Sequence, residues 1–158
     1  MTEHYELQGI EVGTDLGQYE YQLTPELILS YIKSTDDQSG WYSDDSPFGE
    51  PVAVASVCDN NALALPGYWK LIVNRQMENP SFAHAGHEFE FMNPARPGKI
   101  IKVTGHIVDI YKKRDRIYIV FESQSIDEDG REIVLARATV CWLEASDDSL
   151  GANTRAQQ

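Results

Sequence analysis

The chain has 158 residues, 42% of them hydrophobic and 24% charged, the proportions of one globular domain with a core of its own. Its 25 acidic and 13 basic residues give a net charge of -12, a field that repels nucleic-acid phosphates and anionic membranes. No run reaches the roughly 20 apolar residues of a membrane span. The start Met1-Thr2-Glu3-His4 has neither the basic nor the apolar segment of a signal peptide, so a cytoplasmic protein is expected.

Residues 1–16 carry little periodicity and are expected to form a loosely attached arm, with one domain over 17–145 and a flexible polar tail over 146–158. Tyr19, Tyr21 and Leu23 alternate with polar residues, the pattern of a half-buried strand. Thr24-Pro25-Glu26 then opens a helix with a hydroxyl cap, a proline in the first turn and an early acid. Leu27, Ile28, Tyr31 and Ile32 give that helix one apolar face, ending near Lys33. The polar loop Ser34–Pro51 is long for a compact domain, and loops of such length are often functional.

From Val52 to Leu65 small apolar residues dominate, which suits either a buried strand or a buried helix. A helix is the reading adopted, because alanines let a sheet approach closely, and Pro66-Gly67 is read as its stop. Tyr68–Phe82 is read as mixed loop and helix. Gly86–Met92 alternates as a strand, Asn93–Gly98 has turn chemistry, and long strands follow over Ile100–Tyr111, Arg116–Ile126 and Glu132–Leu143. Their connections are tight: Lys112–Asp115, then Asp127-Glu128-Asp129-Gly130. Val134, Ala136, Ala138, Val140 and Trp142 share one face, where the alanines leave room for a helix. The expected fold class is therefore α+β, an antiparallel sheet wrapped around a central helix.

Cys58 and Cys141 match no metal spacing and are read as buried free thiols; nothing near Cys58 in sequence supplies a base for nucleophilic chemistry. His84 and His87 are close in sequence, but two ligands without a third make a poor metal site, and no metal or cofactor is expected. His106 alternates along a strand and is read as structural. Lys99, Lys102, Lys112, Lys113, Arg114 and Arg116 are the best source of a local basic patch; those from Lys112 to Arg116 are read first as solubilising hairpin-end charges.

From Tyr19 to Leu143 the sequence resembles the MaoC-like hotdog group of R-type enoyl-thioester hydratases and dehydratases. The aromatic strand and proline turn Glu88–Lys99, and the hairpin with Asp-Glu-Asp-Gly at its tip and Ala136-Arg137-Ala138-Thr139-Val140 at its end, carry the fold resemblance. The group's Gly-Asp-x-Asn-Pro-(Ile/Leu)-His loop corresponds to Asp36-Asp37-Gln38-Ser39-Gly40-Trp41-Tyr42, which retains the aspartate as Asp37 and puts Tyr42 where the histidine belongs. Its Pro-(Ile/Val)-(Val/Ala)-His-Gly corresponds to Pro51-Val52-Ala53-Val54-Ala55, without the histidine and the glycine. Tyr42 and the following Ser43-Asp44 are more similar to the N-terminal dehydratase-like branch, in which a partner hotdog typically supplies the Asp and His.

The resemblance implies a hotdog fold and a (3R)-hydroxyacyl-thioester dehydratase or enoyl-CoA hydratase subunit that adds or removes water at an acyl-CoA or acyl-carrier-protein thioester. Candidate catalytic residues are Asp37 and Tyr42. Candidate substrate-binding residues are Val54, Ala55 and Ser56, with backbone N–H groups near Ala55 and Ser56 meeting the thioester carbonyl. A loop aspartate ordinarily caps backbone amides and a loop tyrosine ordinarily packs, so both roles need geometry. The expected assembly is a homodimer, or a heterodimer with a second hotdog. Two other readings are open: a catalytically silent acyl-binding subunit, and a thioesterase, whose central-helix carboxylate could only be Asp59.

Overall fold

The computed structural model describes residues 3–4, 10–42, 45–58, 64–73, 81–114 and 116–143. In chain order the elements are β1 (Glu3–His4), β2 (Asp15–Gln22), α1 (Pro25–Thr35), short 3-10 turns at Gly40–Tyr42 and Ala55–Cys58, α2 (Pro66–Val73), β3 (Ser81–Phe91), β4 (Ile100–Lys113), β5 (Arg116–Asp127) and β6 (Glu132–Leu143). The strands make one antiparallel sheet in the order β1-β4-β5-β6-β3. Strand β2 also pairs with β4, so β1 and β2 share one flank of that strand and β3 is the opposite edge.

Alternation decides which face of the sheet is buried. On β5, Ile117, Ile119 and Phe121 turn inward, and on β6 Val134, Ala136, Ala138 and Val140 do the same. On β4 the inward set is Ile101, Val103 and Ile107, then Ile110. The extra residue in that last step is absorbed by a register shift between Ile107 and Asp109, which restores the phase.

Helix α1 begins as its sequence dictates. Thr24 is extended and its hydroxyl accepts the Leu27 N–H at 3.2 Å, with Pro25 in the first turn. It ends at Asp36, which takes the left-handed conformation (φ 50°) and donates its N–H to the Ile32 carbonyl.

Two expectations need correction. The helix expected over 52–65 is not continuous: Val52–Val54 lie outside any helix, Ala55–Cys58 is a 3-10 turn, and residues 59–63 lie outside the described residues. Ala64 is helical and Leu65 is a bend, so a helix does break before Pro66-Gly67, and Pro66 in turn opens α2. Proline lacks only an N–H that a first turn leaves unbonded anyway, so it starts helices as readily as it ends them. The loose arm is the other correction. Ile10 and Leu16 are buried, and Gly13 and Ile107 exchange backbone bonds with that segment, Gly13 N–H to Ile107 O at 2.7 Å and Ile107 N–H to Thr14 O at 3.0 Å. The tail 146–158 lies outside the described residues.

Glycines let α2 press onto the sheet. A Cβ on Gly67 would lie 2.5 Å from the Leu16 Cα, and one on Gly105 would collide with the Leu65 side chain and the Glu122 carbonyl. With that clearance Tyr68 is buried edge-on against Phe121, ring centroids 5.0 Å apart. Gly67→Ala should therefore destabilise the protein by about 1–3 kcal/mol through overpacking against backbone. Urea denaturation checks this, since a helix interior otherwise gains from Gly→Ala.

Candidate functional site

The left-handed turn at Asp36 swings the chain back after α1, so that Asp37 and Tyr42 face each other across a short loop. Asp37 Oδ1 accepts the Ser39 N–H at 2.8 Å, and the Tyr42 hydroxyl donates to Asp37 Oδ2 at 2.7 Å. The Asp37 N–H reaches back to the Ile32 carbonyl at 3.2 Å. Both carboxylate oxygens are thus engaged, one by backbone and one by the phenol, while Tyr42 rests half-buried against the core.

These contacts fix the charge states. The Ser39 amide first, and the Tyr42 hydroxyl second, hold the Asp37 carboxyl below its ordinary value. Burial first, and the Asp37 bond second, push the Tyr42 phenol above its own. At neutral pH the pair is a carboxylate accepting from a neutral phenol. Tyr42 is a proton donor and a poor base. Because the folded value of Asp37 is depressed, the pair's contribution is complete above the unfolded carboxylate range, near pH 4. It fades as pH falls through the lowered folded value. Tyr42→Phe should raise the Asp37 midpoint only part of the way to ordinary, because the Ser39 amide remains; a carboxyl-carbon NMR titration reads this.

Beside Tyr42 opens an apolar cavity of about 370 Å³. Its rim is exposed: Trp41 and Phe48 meet edge to face, ring centroids 5.9 Å apart, and Phe91 and Met92 stand across from them. Its floor is buried and mostly small: Ala53, Cys58 and Ala95, with Ile133. The walls are held by backbone and by charge. Val52 N–H bonds the Trp41 carbonyl at 3.2 Å, Ala53 N–H the Ala95 carbonyl at 2.7 Å, and Arg96 pairs with Glu50 at 2.6 Å.

The structure brings Tyr42 and Ala55 to the same cavity. It does not bring the side chains of Val54 and Ser56 there: Val54 is packed in the core, and Ser56 is half-buried outside the lining. The helix start expected to present their amides is the four-residue 3-10 turn Ala55–Cys58. Sequence reading missed Trp41 and Phe48 as site residues. The signal was two large aromatics in an otherwise polar loop.

Other candidates fall away from this site. Among the described residues no group of three or more His, Cys, Asp or Glu side chains could hold a metal ion. His84 and His87 stand side by side on β3 in a row with Phe89, and His106 lies 3.9 Å from Glu122 on β5. Lys99 is already shared between Glu128 at 3.3 Å and Asp129 at 2.9 Å. Asp59 lies outside the described residues. No helix among the described residues is long and apolar enough to cross a membrane.

No protein-family model and no curated protein matches the sequence. Solved structures do match the fold. A MaoC-like dehydratase from Rhodospirillum rubrum superposes with a TM-score of 0.66 at 19% identity, over 89% of this chain and 97% of that one. The 3R-hydroxyacyl-ACP dehydratase complex HadBC from Mycobacterium tuberculosis gives 0.67 at 14% identity, over 85% and 99%. A Thermus thermophilus protein described as a thioesterase superfamily member gives 0.57 at 17% identity, over 94% and 93%. The fold is the hotdog fold, which these structures share.

Proposed function

We propose that the chain is a MaoC-like (3R)-hydroxyacyl-thioester dehydratase or enoyl-thioester hydratase subunit that works with a second hotdog carrying an intact Asp and His. The observation that carries this is the Asp37–Tyr42 pair, bonded at 2.7 Å, of which Tyr42 lines an apolar cavity together with Ala55. Dehydration removes a proton from the carbon next to the thioester carbonyl and expels the 3-hydroxyl as water, which takes up a proton. One group must accept the first proton and another must supply the second. Tyr42 can donate and Asp37 can orient a hydroxyl or water, but the phenol cannot serve as the neutral-pH base that the missing histidine would provide. The test is turnover of a 3-hydroxyacyl-CoA by the chain alone and by its complex with an intact hotdog subunit.

The edge strand β3 is the surface on which a second hotdog would dock. On β3, His84, His87, Phe89 and Phe91 lie opposite Val140, Ala138, Ala136 and Val134 of β6, on the core-facing side of the sheet. The β6 residues are buried, while Phe89 and Phe91 remain 36% and 51% exposed. An edge strand with an exposed apolar stripe is a pairing surface. A homodimer or a heterodimer through β3 covers the stripe, and the solved HadBC complex joins two chains of this fold. Sedimentation at micromolar concentration should show a dimer that Phe89→Glu weakens; a clean monomer, with or without the partner, would count against the pairing.

The second reading is a silent acyl-binding subunit, favoured by the same absent histidine. The thioesterase reading has only the fold of the Thermus thermophilus protein behind it.

A further inference from the structure

If the cavity is the acyl site, a premise that rests on the reading above, its shape limits the acyl group. The rim and the floor differ in kind. Trp41, Phe48, Phe91 and Met92 at the mouth are 40–51% exposed, and Ala53, Ala95, Cys58 and Ile133 at the bottom are 1–6% exposed. The floor is apolar, so a chain bearing a charge or hydroxyl at its far end would lose its hydration there without replacement. Cys58 adds no charge: burial pushes its thiol up, and it is a neutral, packable surface at physiological pH.

Volume sets the length. A water-sized group takes about 30 Å³ in a liquid, and a methylene is of similar size. The cavity of about 370 Å³ therefore accommodates on the order of ten chain carbons once imperfect filling is allowed for. The carbonyl end belongs at Tyr42, where the polar groups are, and the chain end at the small-residue floor. We propose that this chain selects apolar acyl groups of up to about ten carbons, and that Cys58 and Ala95 set the upper limit.

Calorimetric titration of the full chain with saturated acyl-CoA esters of four to sixteen carbons tests this without turnover, because these ligands have no double bond to hydrate. Affinity should rise about tenfold for each two carbons at the short end, as each buried methylene contributes, and should level or fall beyond about ten. Cys58→Ala, which only removes an atom from the floor, should move the break to longer chains, and Ala95→Val should move it to shorter ones. Affinity that is independent of length, or that keeps rising to sixteen carbons, overturns the length limit and leaves the thioester reading standing. A break that Cys58→Ala leaves in place removes Cys58 from the role. Failure of every ester to bind overturns the thioester reading itself, and the length limit with it.

Discussion

The purified chain alone should turn over a 3-hydroxyacyl-CoA about 10²–10⁴-fold more slowly than its complex with an intact hotdog subunit, the factor a positioned general acid–base supplies. Asp37 is present and ionised, so the deficit is not one of charge. What is missing is a group that accepts a proton near pH 7. The phenol of Tyr42, pushed up by burial and by its bond to Asp37, moves away from that range. A parallel assay of the two preparations under one set of conditions reads the difference directly. Equal rates would mean that the Asp37–Tyr42 pair performs the chemistry unaided.

Phe121→Ala should cost about 3–5 kcal/mol, the range for truncating a buried aromatic. Phe121 is 2% exposed at the centre of β5, and its ring is the surface on which Tyr68 of α2 rests. Truncation leaves a cavity that the rigid sheet cannot close and removes the edge-to-face contact as well. Set against the 5–15 kcal/mol of typical domain stability, that is a large fraction. Urea denaturation should show the midpoint falling by more than about 1 M with an unchanged slope. A loss below about 1 kcal/mol would mean that α2 does not depend on this seat.

The sheet was legible because its residues obey one short-range rule. Ile101, Val103, Ile117, Ile119, Ala136 and Ala138 alternate with less buried neighbours, and the acidic turn at Asp127–Gly130 and the Lys112–Asp115 connection mark where each strand reverses. Helix α1 was equally plain from Thr24-Pro25-Glu26. The central segment was not, because small apolar residues satisfy several geometries and Pro66-Gly67 punctuates either a stop or a start. What decides is the close approach of Gly67 to Leu16, a contact between residues fifty-one apart in sequence that no local pattern announces. Ile10 misled for a similar reason, being one of a few apolar residues scattered without a regular period.

The candidate site was half visible. Asp37 and Tyr42 stood out through the family pattern, but their hydrogen bond depends on the left-handed turn at Asp36, which sequence alone does not specify. The cavity was hidden because its walls come from four distant segments: Trp41, Tyr42 and Phe48, then Val52–Cys58, then Phe91–Ala95, then Ile133. Only folding puts the loop aromatics opposite the end of β3.

The central claim is that the base for the reaction resides in a partner chain, and Asp37→Ala within the complex tests it most directly. Turnover of a 3-hydroxyacyl-CoA by the complex should stay within a few-fold of the unsubstituted rate, because losing Asp37 disturbs only the positioning near Tyr42. Robust turnover by the purified chain alone, abolished by Asp37→Ala while the fold persists, would contradict the account and make Asp37 with Tyr42 a working dyad in this chain.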